Sequence, residues 1–279
     1  MSCLTVLENT IDTLFINIIL KDILTVQSPS QQTPEFESDW ALFLDVDGTL
    51  LELAAHPSHV DVSKDLLDIL FELKKRTNGA LALISGRPIS ELDSLFQPLH
   101  ICIAGQHGLE RRDARDHVHK HPMPNGDFDV IREVLAEFAA NHPGVVIEDK
   151  TSSISMHYRQ ASHYRLPLET VISNCMRQIG DNFHLITGKM VFEIKPRGKD
   201  KGTAINEFML EPPFKGRKPV FIGDDVTDED GFMIVNKLGG YTIKVGVGYT
   251  SAKWRLIDAR AVSEWLISYN NYLGKREKA

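Results

Sequence analysis

Cysteine is scarce in this chain of 279 residues, with only Cys3, Cys102 and Cys175 present. An odd number of widely separated thiols excludes a disulfide framework and any thiolate metal site built on close spacing. Cys102 and Cys175 fall in apolar patterns, where a small buried hydrophobe is the expected role. Positive charge is also in deficit: 31 Lys and Arg stand against 38 Asp and Glu, a formal net charge of −7. That argues against a nucleic-acid surface, and any anion site must be locally basic. Long apolar runs are missing too. Leu14–Leu20 is bracketed by Asp12 and Asp22 and falls well short of the ~20 residues a membrane span needs. Glu8 and Asp12 before that stretch, with Lys21 after it, are the wrong order for a secretory signal. The expectation is a cytoplasmic protein with no membrane partner. Residues 1–37 read as an N-terminal extension, poorly ordered or amphipathic, with Ser28–Pro34 as a linker and a packing helix as the alternative.

What is present points to phosphoryl chemistry. Trp40-Ala-Leu-Phe-Leu44 is an apolar run of the kind buried on both sheet faces, and it delivers Asp45 and Asp47 into a turn at Gly48. Two carboxylates two residues apart can face one side and resist ionising together, so a hard divalent cation such as Mg²⁺ is the natural compensation. A second buried-strand run, Ala80–Ile84, ends in Ser85-Gly86-Arg87-Pro88, a hydroxyl and a small residue before a helix start, suited to cradle phosphate. A third, Pro219–Gly223, opens into Asp224-Asp225-Val-Thr-Asp228-Glu229-Asp230, too acidic for one turn unless it faces a cation. Lys201-Gly202 precedes the helical pattern Thr203–Leu210, and a lysine near an aspartyl nucleophile neutralises both carboxylate and phosphate. Each feature alone has an ordinary structural alternative, such as a helix cap, a solvated lysine or an exposed acidic loop. Four in this order, three of them at strand ends, rarely coincide.

These features resemble the haloacid-dehalogenase-like (HAD-like) superfamily of aspartate-nucleophile phosphatases, whose four motifs fall where Asp45-Val-Asp47-Gly-Thr49, Ser85, Lys201 and Gly223-Asp224-Asp225 fall. Within it, Gly105-Gln-His107-Gly108, Glu148-Asp-Lys150, His157-Tyr-Arg159, Glu193-Ile-Lys195-Pro-Arg-Gly198 and Gly223–Glu229 are similar to the trehalose-6-phosphate phosphatases, over about residues 39–269. Gln106-His107 departs somewhat from the family pattern.

Residues 40–104 alternate buried strands with amphipathic helices, the grammar of parallel βαβ units, and this resumes after Lys201. Between them, a helix at 128–140, strands at 145–148 and 153–159, a helix at 168–179 and two strands around Thr187-Gly188 predict an αββαββ insert, an open-faced sheet backed by helices. Ser155, His157 and Arg159 share one face of the second strand, a candidate sugar platform. The His117-Val-His119-Lys-His121 alternation reads as an exposed hairpin in preference to a metal site. The expected fold is therefore α/β: a doubly wound parallel-sheet, Rossmannoid core of 38–107 and 197–279 with an inserted α+β cap of 108–196.

The resemblance implies hydrolysis of trehalose 6-phosphate through an aspartyl phosphate. Asp45 is the implied nucleophile and Asp47 the general acid and base. Lys201 completes the catalytic set. Ser85, Gly86, Arg87, His107, Gly108, Glu148, Lys150, His157, Arg159 and Glu193 are the implied substrate contacts. Asp45, Asp47 through its carbonyl, Asp224, Asp225 and Asp228 would surround Mg²⁺. The small-molecule sugar phosphate would come from a trehalose-6-phosphate synthase on a separate chain. The alternatives are another sugar phosphate such as sucrose 6-phosphate, a phosphomutase, or a sensor that binds without turnover; intact Asp45, Asp47 and Lys201 argue against the last.

Overall fold

All five residues of β1 (Trp40–Leu44) are fully buried, as an unbroken apolar run requires when both faces of a strand are covered. Their alternation decides which side each one packs on. Trp40, Leu42 and Leu44 join Leu66, Leu70 and Leu73 of α1 (Lys64–Arg76) and Trp265, Leu266 and Tyr269 of α7 (Ala259–Arg276). Ala41 and Phe43 point the other way, into Ile205 and Phe208 of α5 (Lys201–Met209) and Phe232 and Val235 of α6 (Glu229–Lys237). A sheet with helices on both faces follows from that one strand. The computed structural model describes residues 33–52, 61–124 and 128–277. The expectations for residues 1–32 lie outside the described residues.

The larger sheet has eight strands in the order β12-β11-β10-β1-β2-β3-β4-β5. β2 (Leu81–Ile84), β3 (Cys102–Gly105), β10 (Lys218–Gly223), β11 (Tyr241–Val245) and β12 (Trp254–Leu256) run parallel to β1. The parallel strands therefore bring Asp45, Ser85 and Asp224 to the same carboxyl edge, where open α/β sheets place their ligands. α1 starts at Ser63, whose Oγ accepts from the Leu66 N–H, and ends in Lys74, Lys75 and Arg76 before Gly79 at φ 84°.

β4 (Glu110–Arg112) and β5 (Val118–Lys120) lie inside the 108–196 span, yet β4 pairs antiparallel with β3 and β5 with β4, so both extend the large sheet. Their sequence carries no apolar alternation to announce a strand. Instead the side chains are tied down by charge: Arg111 to Glu207 and Glu211, Arg112 to Asp93 and the Ile101 carbonyl. His117 and His119 flank and occupy β5 and are exposed, as the hairpin reading requires.

A second, antiparallel sheet of four strands, ordered β6-β7-β9-β8, forms the cap. It comprises β6 (Val146–Asp149), β7 (Ile154–His157), β8 (Phe183–Gly188) and β9 (Val191–Pro196), with α3 (Phe128–Asn141) and α4 (Arg165–Ile179) in the expected αββαββ order. Ile131, Leu135, Ile154, Met156, Ile172, Cys175 and Phe192 make its separate core. Two details differ from the sequence reading. β7 ends at His157, and Arg159 opens a short 3₁₀ helix, Arg159–Tyr164, so it does not continue the strand face of His157. Tyr158, buried and stacked on Phe192 at 5.1 Å, anchors that exit from the sheet. The β8–β9 turn falls on Lys189-Met190, not Thr187-Gly188, because Gly188 pairs with Val191 and Met190 takes the left-handed φ of 65°. α2 (Ile89–Leu95) completes the core behind Ser85.

Replacement of Phe43, stacked on Phe214 at 5.3 Å and 6.1 Å from Phe208 of α5, is the direct test of this packing. Phe43→Ala is expected to cost about 3–5 kcal/mol. Urea unfolding followed by circular dichroism measures it, and a loss below about 1 kcal/mol contradicts the burial.

Candidate active site

Asp45 is the first residue beyond β1, only 4% exposed, its N–H held by the Ile222 carbonyl of β10 at 3.0 Å. Lys201, the first residue of α5, reaches it from the opposite side. The Lys201 Nζ is 2.7 Å from Asp45 Oδ1 and 2.7 Å from Asp228 Oδ1. The Asp200 cap holds this helix start in place, accepting from the Thr203 N–H while Thr203 Oγ1 accepts from the Asp200 N–H. Thr49 Oγ1 donates to the other Asp45 oxygen at 3.2 Å. Burial opposes the charge on Lys201, but Asp228 and Asp45 outweigh it and raise its pKa. Burial and then Asp228 push the Asp45 carboxyl well above the ordinary range, with Lys201 pulling the other way.

Three carboxylates converge here. Asp45, Asp224 and Asp228 place ligand-capable oxygens within 4.8 Å of one another, all buried. The Asp224 Oδ1 is buried with no hydrogen-bond partner. An oxygen of that kind, beside two more carboxylates, fits a hard divalent cation with oxygen ligands. Gly48 makes the approach possible, since a Cβ there, at φ 85°, would stand 2.4 Å from the Asp224 carboxyl carbon. Asp228 is fully buried and also accepts from the Asp225 N–H at 2.8 Å. The Asp225 side chain lines the cleft instead of joining that carboxylate group.

Asp47 faces Arg87, which holds it through Nε and Nη2, both at 2.7 Å, and also pairs with Glu91. Arg87 thus grips the second aspartate, a partner the sequence reading did not assign to it. Ser85, buried at the end of β2, accepts from the Arg87 N–H at 3.1 Å. The loop beyond β3 braces this turn through unusual backbone: Gln106, His107 and Gly108 have φ of 47°, 54° and 91°, while the Gln106 and His107 N–H groups donate to the Arg87 and Ser85 carbonyls. The His107 ring lies against Gly86, where a Cβ would be 2.6 Å from Nε2.

A cleft of about 580 Å³ joins this carboxyl edge to the cap. Glu148, Lys150, His157 and Arg159 line its cap side, and Asp45, Asp47, Ser85, Gly86, Arg87, His107 and Lys201 line the core side. Glu148 Oε2 is 2.9 Å from His157 Nε2 and 3.8 Å from Lys150 Nζ. Burial opposes ionisation of Glu148, yet His157 and Lys150 hold its pKa below the usual value.

Several expected contacts are placed otherwise. Glu193 does not line the cleft; it is buried behind it, bonded to Ser153 Oγ at 2.7 Å and His107 Nε2 at 3.1 Å, with Lys150 Nζ at 3.8 Å. Burial raises its carboxyl, and Lys150 with His107 reverse this and lower it. Gly108 also stands off the lining, and its role is backbone: a Cβ there would be 2.7 Å from the Asp200 carbonyl oxygen. Ser155 is fully inside the cap, so it is no part of the platform. Lys195 faces away from the cleft, donating to the Lys199 carbonyl at 2.8 Å, and burial pushes its ammonium down to about 8. The sequence reading missed Lys189, Met190 and Val191 of the cap turn and Lys244, whose Nζ donates to the Asp224 carbonyl. Correct placement of the hairpin turn would have exposed the first three; nothing local distinguishes Lys244 from a strand lysine.

Such a fold, with buried carboxylates gathered at the carboxyl edge of a parallel sheet and an inserted cap beyond them, defines an α/β hydrolase of the HAD-like class. The chain belongs to the trehalose-phosphatase family, whose sequence profile matches residues 43–259, and the family consists of phosphomonoester hydrolases. It is 45% identical over 238 residues to the trehalose-6-phosphate phosphatase of Escherichia coli (strain K12), covering 85% of this chain and 89% of that protein. It is equally 45% identical over 208 residues to a probable trehalose-phosphate phosphatase of Sinorhizobium fredii, covering 75% and 78%. Among solved structures, a trehalose-6-phosphate phosphatase related protein superposes with a TM-score of 0.71 at 29% identity, covering 85% of this chain and 99% of that one. A haloacid dehalogenase-like hydrolase from Bacteroides thetaiotaomicron shares the fold, with a TM-score of 0.58 at 16% identity, covering 83% and 99%.

The buried ion cluster predicts a pH-dependent cost for Lys201→Met. Removing the ammonium leaves Asp45 and Asp228 facing each other, and the Asp45 pKa, already raised, rises further. A carboxyl with a folded pKa above its unfolded value binds more protons when folded, so it favours the fold at low pH and loses that contribution as pH rises. The variant should therefore lose about 3–5 kcal/mol near pH 8 and distinctly less near pH 5. Melting curves in chelator at both values test this, and an equal loss at both contradicts the cluster.

Proposed function

We propose that the cleft hydrolyses trehalose 6-phosphate to trehalose and phosphate, with the phosphoryl group at the Asp45 end and the sugar against the cap. The observation that carries this is the continuity of one cleft, which joins the Lys201–Asp45 pair to Glu148, Lys150, His157 and Arg159. Asp45 attacks phosphorus, an Asp45 oxygen–phosphorus bond forms, and the phosphorus–sugar oxygen bond breaks. Asp47 gives its proton to the departing sugar oxygen and later takes one from the water that attacks the aspartyl phosphate, releasing phosphate and restoring Asp45. Ser85, the Gly86 backbone and Lys201 hold the phosphoryl oxygens. Arg87 orients Asp47 until substrate displaces it, and then faces the phosphoryl group. Asp45, the Asp47 carbonyl, Asp224 and Asp228 would hold Mg²⁺, with Asp225 beside them. The cation would offset the charge of the carboxylates and of the phosphoryl group when bound.

Glu148, Lys150, His157 and Arg159 engage sugar hydroxyls, while Glu193 and His107 secure Lys150 and the Gly86 turn from behind. A catalytic core of about 38–120 and 197–279, with a cap between, accommodates the β4–β5 hairpin on the large sheet. We further propose a cytoplasmic enzyme whose substrate comes from a separate synthase. Among the described residues no helix is long and apolar enough to cross a membrane.

Phosphate release from trehalose 6-phosphate, sucrose 6-phosphate and hexose phosphates is the primary test, and preference for trehalose 6-phosphate is expected. Asp45→Asn should abolish turnover on every one of them, since an amide cannot form the acyl phosphate; substantial residual turnover in pure protein excludes the covalent route.

Lys150→Ala separates sugar recognition from chemistry. The binding energy of cap residues is used in positioning the phosphate, so kcat/KM for trehalose 6-phosphate should fall on the order of 10²-fold, about 2.7 kcal/mol. Hydrolysis of p-nitrophenyl phosphate, which has no sugar, should change little. An equal fall on both substrates assigns Lys150 to the fold and not to the sugar.

A further inference from the structure

Lys189 occupies the tip of the β8–β9 turn, and its ammonium crosses from the cap to the core, 3.1 Å from Asp224 Oδ2. The pairing is unequal: the Lys189 side chain is 58% exposed and that of Asp224 only 7%. Asp224 keeps its other oxygen free of partners and stands within the group of three buried carboxylates. The turn as a whole sits over the acidic loop, since a Cβ on Gly188 would be 3.7 Å from Asp225 Oδ2. Lys189 and Met190 line the same cleft as Asp45 and Lys201.

A divalent cation bound by these carboxylates would claim the Asp224 oxygens and repel the nearby ammonium. Lys189 hangs on an exposed turn and can swing on its four-carbon stem, and the anion then within its reach is the phosphoryl group in the cleft. We infer that Lys189 is a handover residue: it neutralises Asp224 until the cation binds, then transfers to the phosphoryl oxygens and draws the cap turn over them. This rests on the proposed metal role of Asp45, Asp224 and Asp228. It makes loading of the cation a condition for the cap to grip phosphate.

The test uses the full chain, freed of metal with chelator, as wild type, Lys189→Met and Lys189→Arg. Calorimetric titration with MgCl₂ alone, then with inorganic phosphate at saturating MgCl₂, reads the two halves of the handover separately. Lys189→Met is expected to bind Mg²⁺ about twofold to fivefold more tightly, the range for loss of an exposed charge partner, and to bind phosphate roughly tenfold more weakly. Lys189→Arg should restore both affinities toward wild type, and melting curves should be unchanged because the side chain is exposed. If Lys189→Met leaves both affinities as in wild type, or weakens Mg²⁺ binding, the handover is overturned while the metal site stands. If wild type itself binds no Mg²⁺, the metal assignment fails and takes the handover with it.

Discussion

One ammonium group holds the active end of this molecule together. Lys201 is 3% exposed and lies 2.7 Å from each of two buried carboxylates, Asp45 and Asp228. Buried ion clusters contribute little net stability when complete, but become costly when one member is missing. The surrounding backbone is shaped to keep this one complete. Gly223 leaves room for the Asp228 carboxyl, which a Cβ would meet at 2.3 Å. Gly202, next to the lysine, lets α5 approach the Asp230 carbonyl of α6, which a Cβ would meet at 2.4 Å. Two helices and two strands therefore converge on a charge balance, and apolar packing elsewhere has to offset what that polar junction costs.

The same junction explains how chemistry and recognition divide between the layers. Strand ends of the parallel sheet supply carboxylates and a hydroxyl at fixed positions, because those strands are buried on both faces and cannot shift, and the start of α5 supplies the lysine. The cap has its own apolar core and meets the large sheet through polar contacts such as His107–Glu193 and Lys189–Asp224. Polar seams of this kind are where a domain can move without disrupting either core. His107 is central to the seam: its backbone donates to the Ser85 carbonyl, while its ring touches Gly86 and bonds Glu193. Three successive residues with positive φ, two of them not glycine, hold it there, and strain of that kind persists only where neighbours over-determine it.

Asp224, Asp225 and Asp228 look equivalent as a string of carboxylates, but their partners separate them. Asp228 is fully buried between Lys201 and the Asp225 N–H, Asp224 retains an unpaired oxygen beside Asp45, and Asp225 turns to the cleft wall. Burial and partner number, not charge, sort the three.

Sequence alone determined the α/β class, the αββαββ insert and the positions of Asp45, Ser85, Lys201 and Asp224, because apolar runs ending in polar turns are local patterns with local causes. It offered Ser155, His157 and Arg159 as one strand face and Glu148, Lys150 and Glu193 as sugar contacts, of which the cleft is lined by Glu148, Lys150, His157 and Arg159. Only the tertiary structure decided what crosses between segments. The β4–β5 hairpin adds to β3 through the β4 ladder, is tied by Arg111 to α5 and by Arg112 to α2, and carries no apolar alternation. Glu193 and Gly108 sit behind the cleft because of what packs in front of them, and Arg87 belongs to Asp47, forty residues away in the chain. Lys189 lines the cleft through a turn displaced by two residues from the Thr187-Gly188 pair that announced it, since Gly188 was needed in the strand ladder and Met190 accepted the left-handed backbone. Local periodicity is encoded within a few residues, whereas the choice of partner for a buried charge depends on every segment that reaches the same point in space.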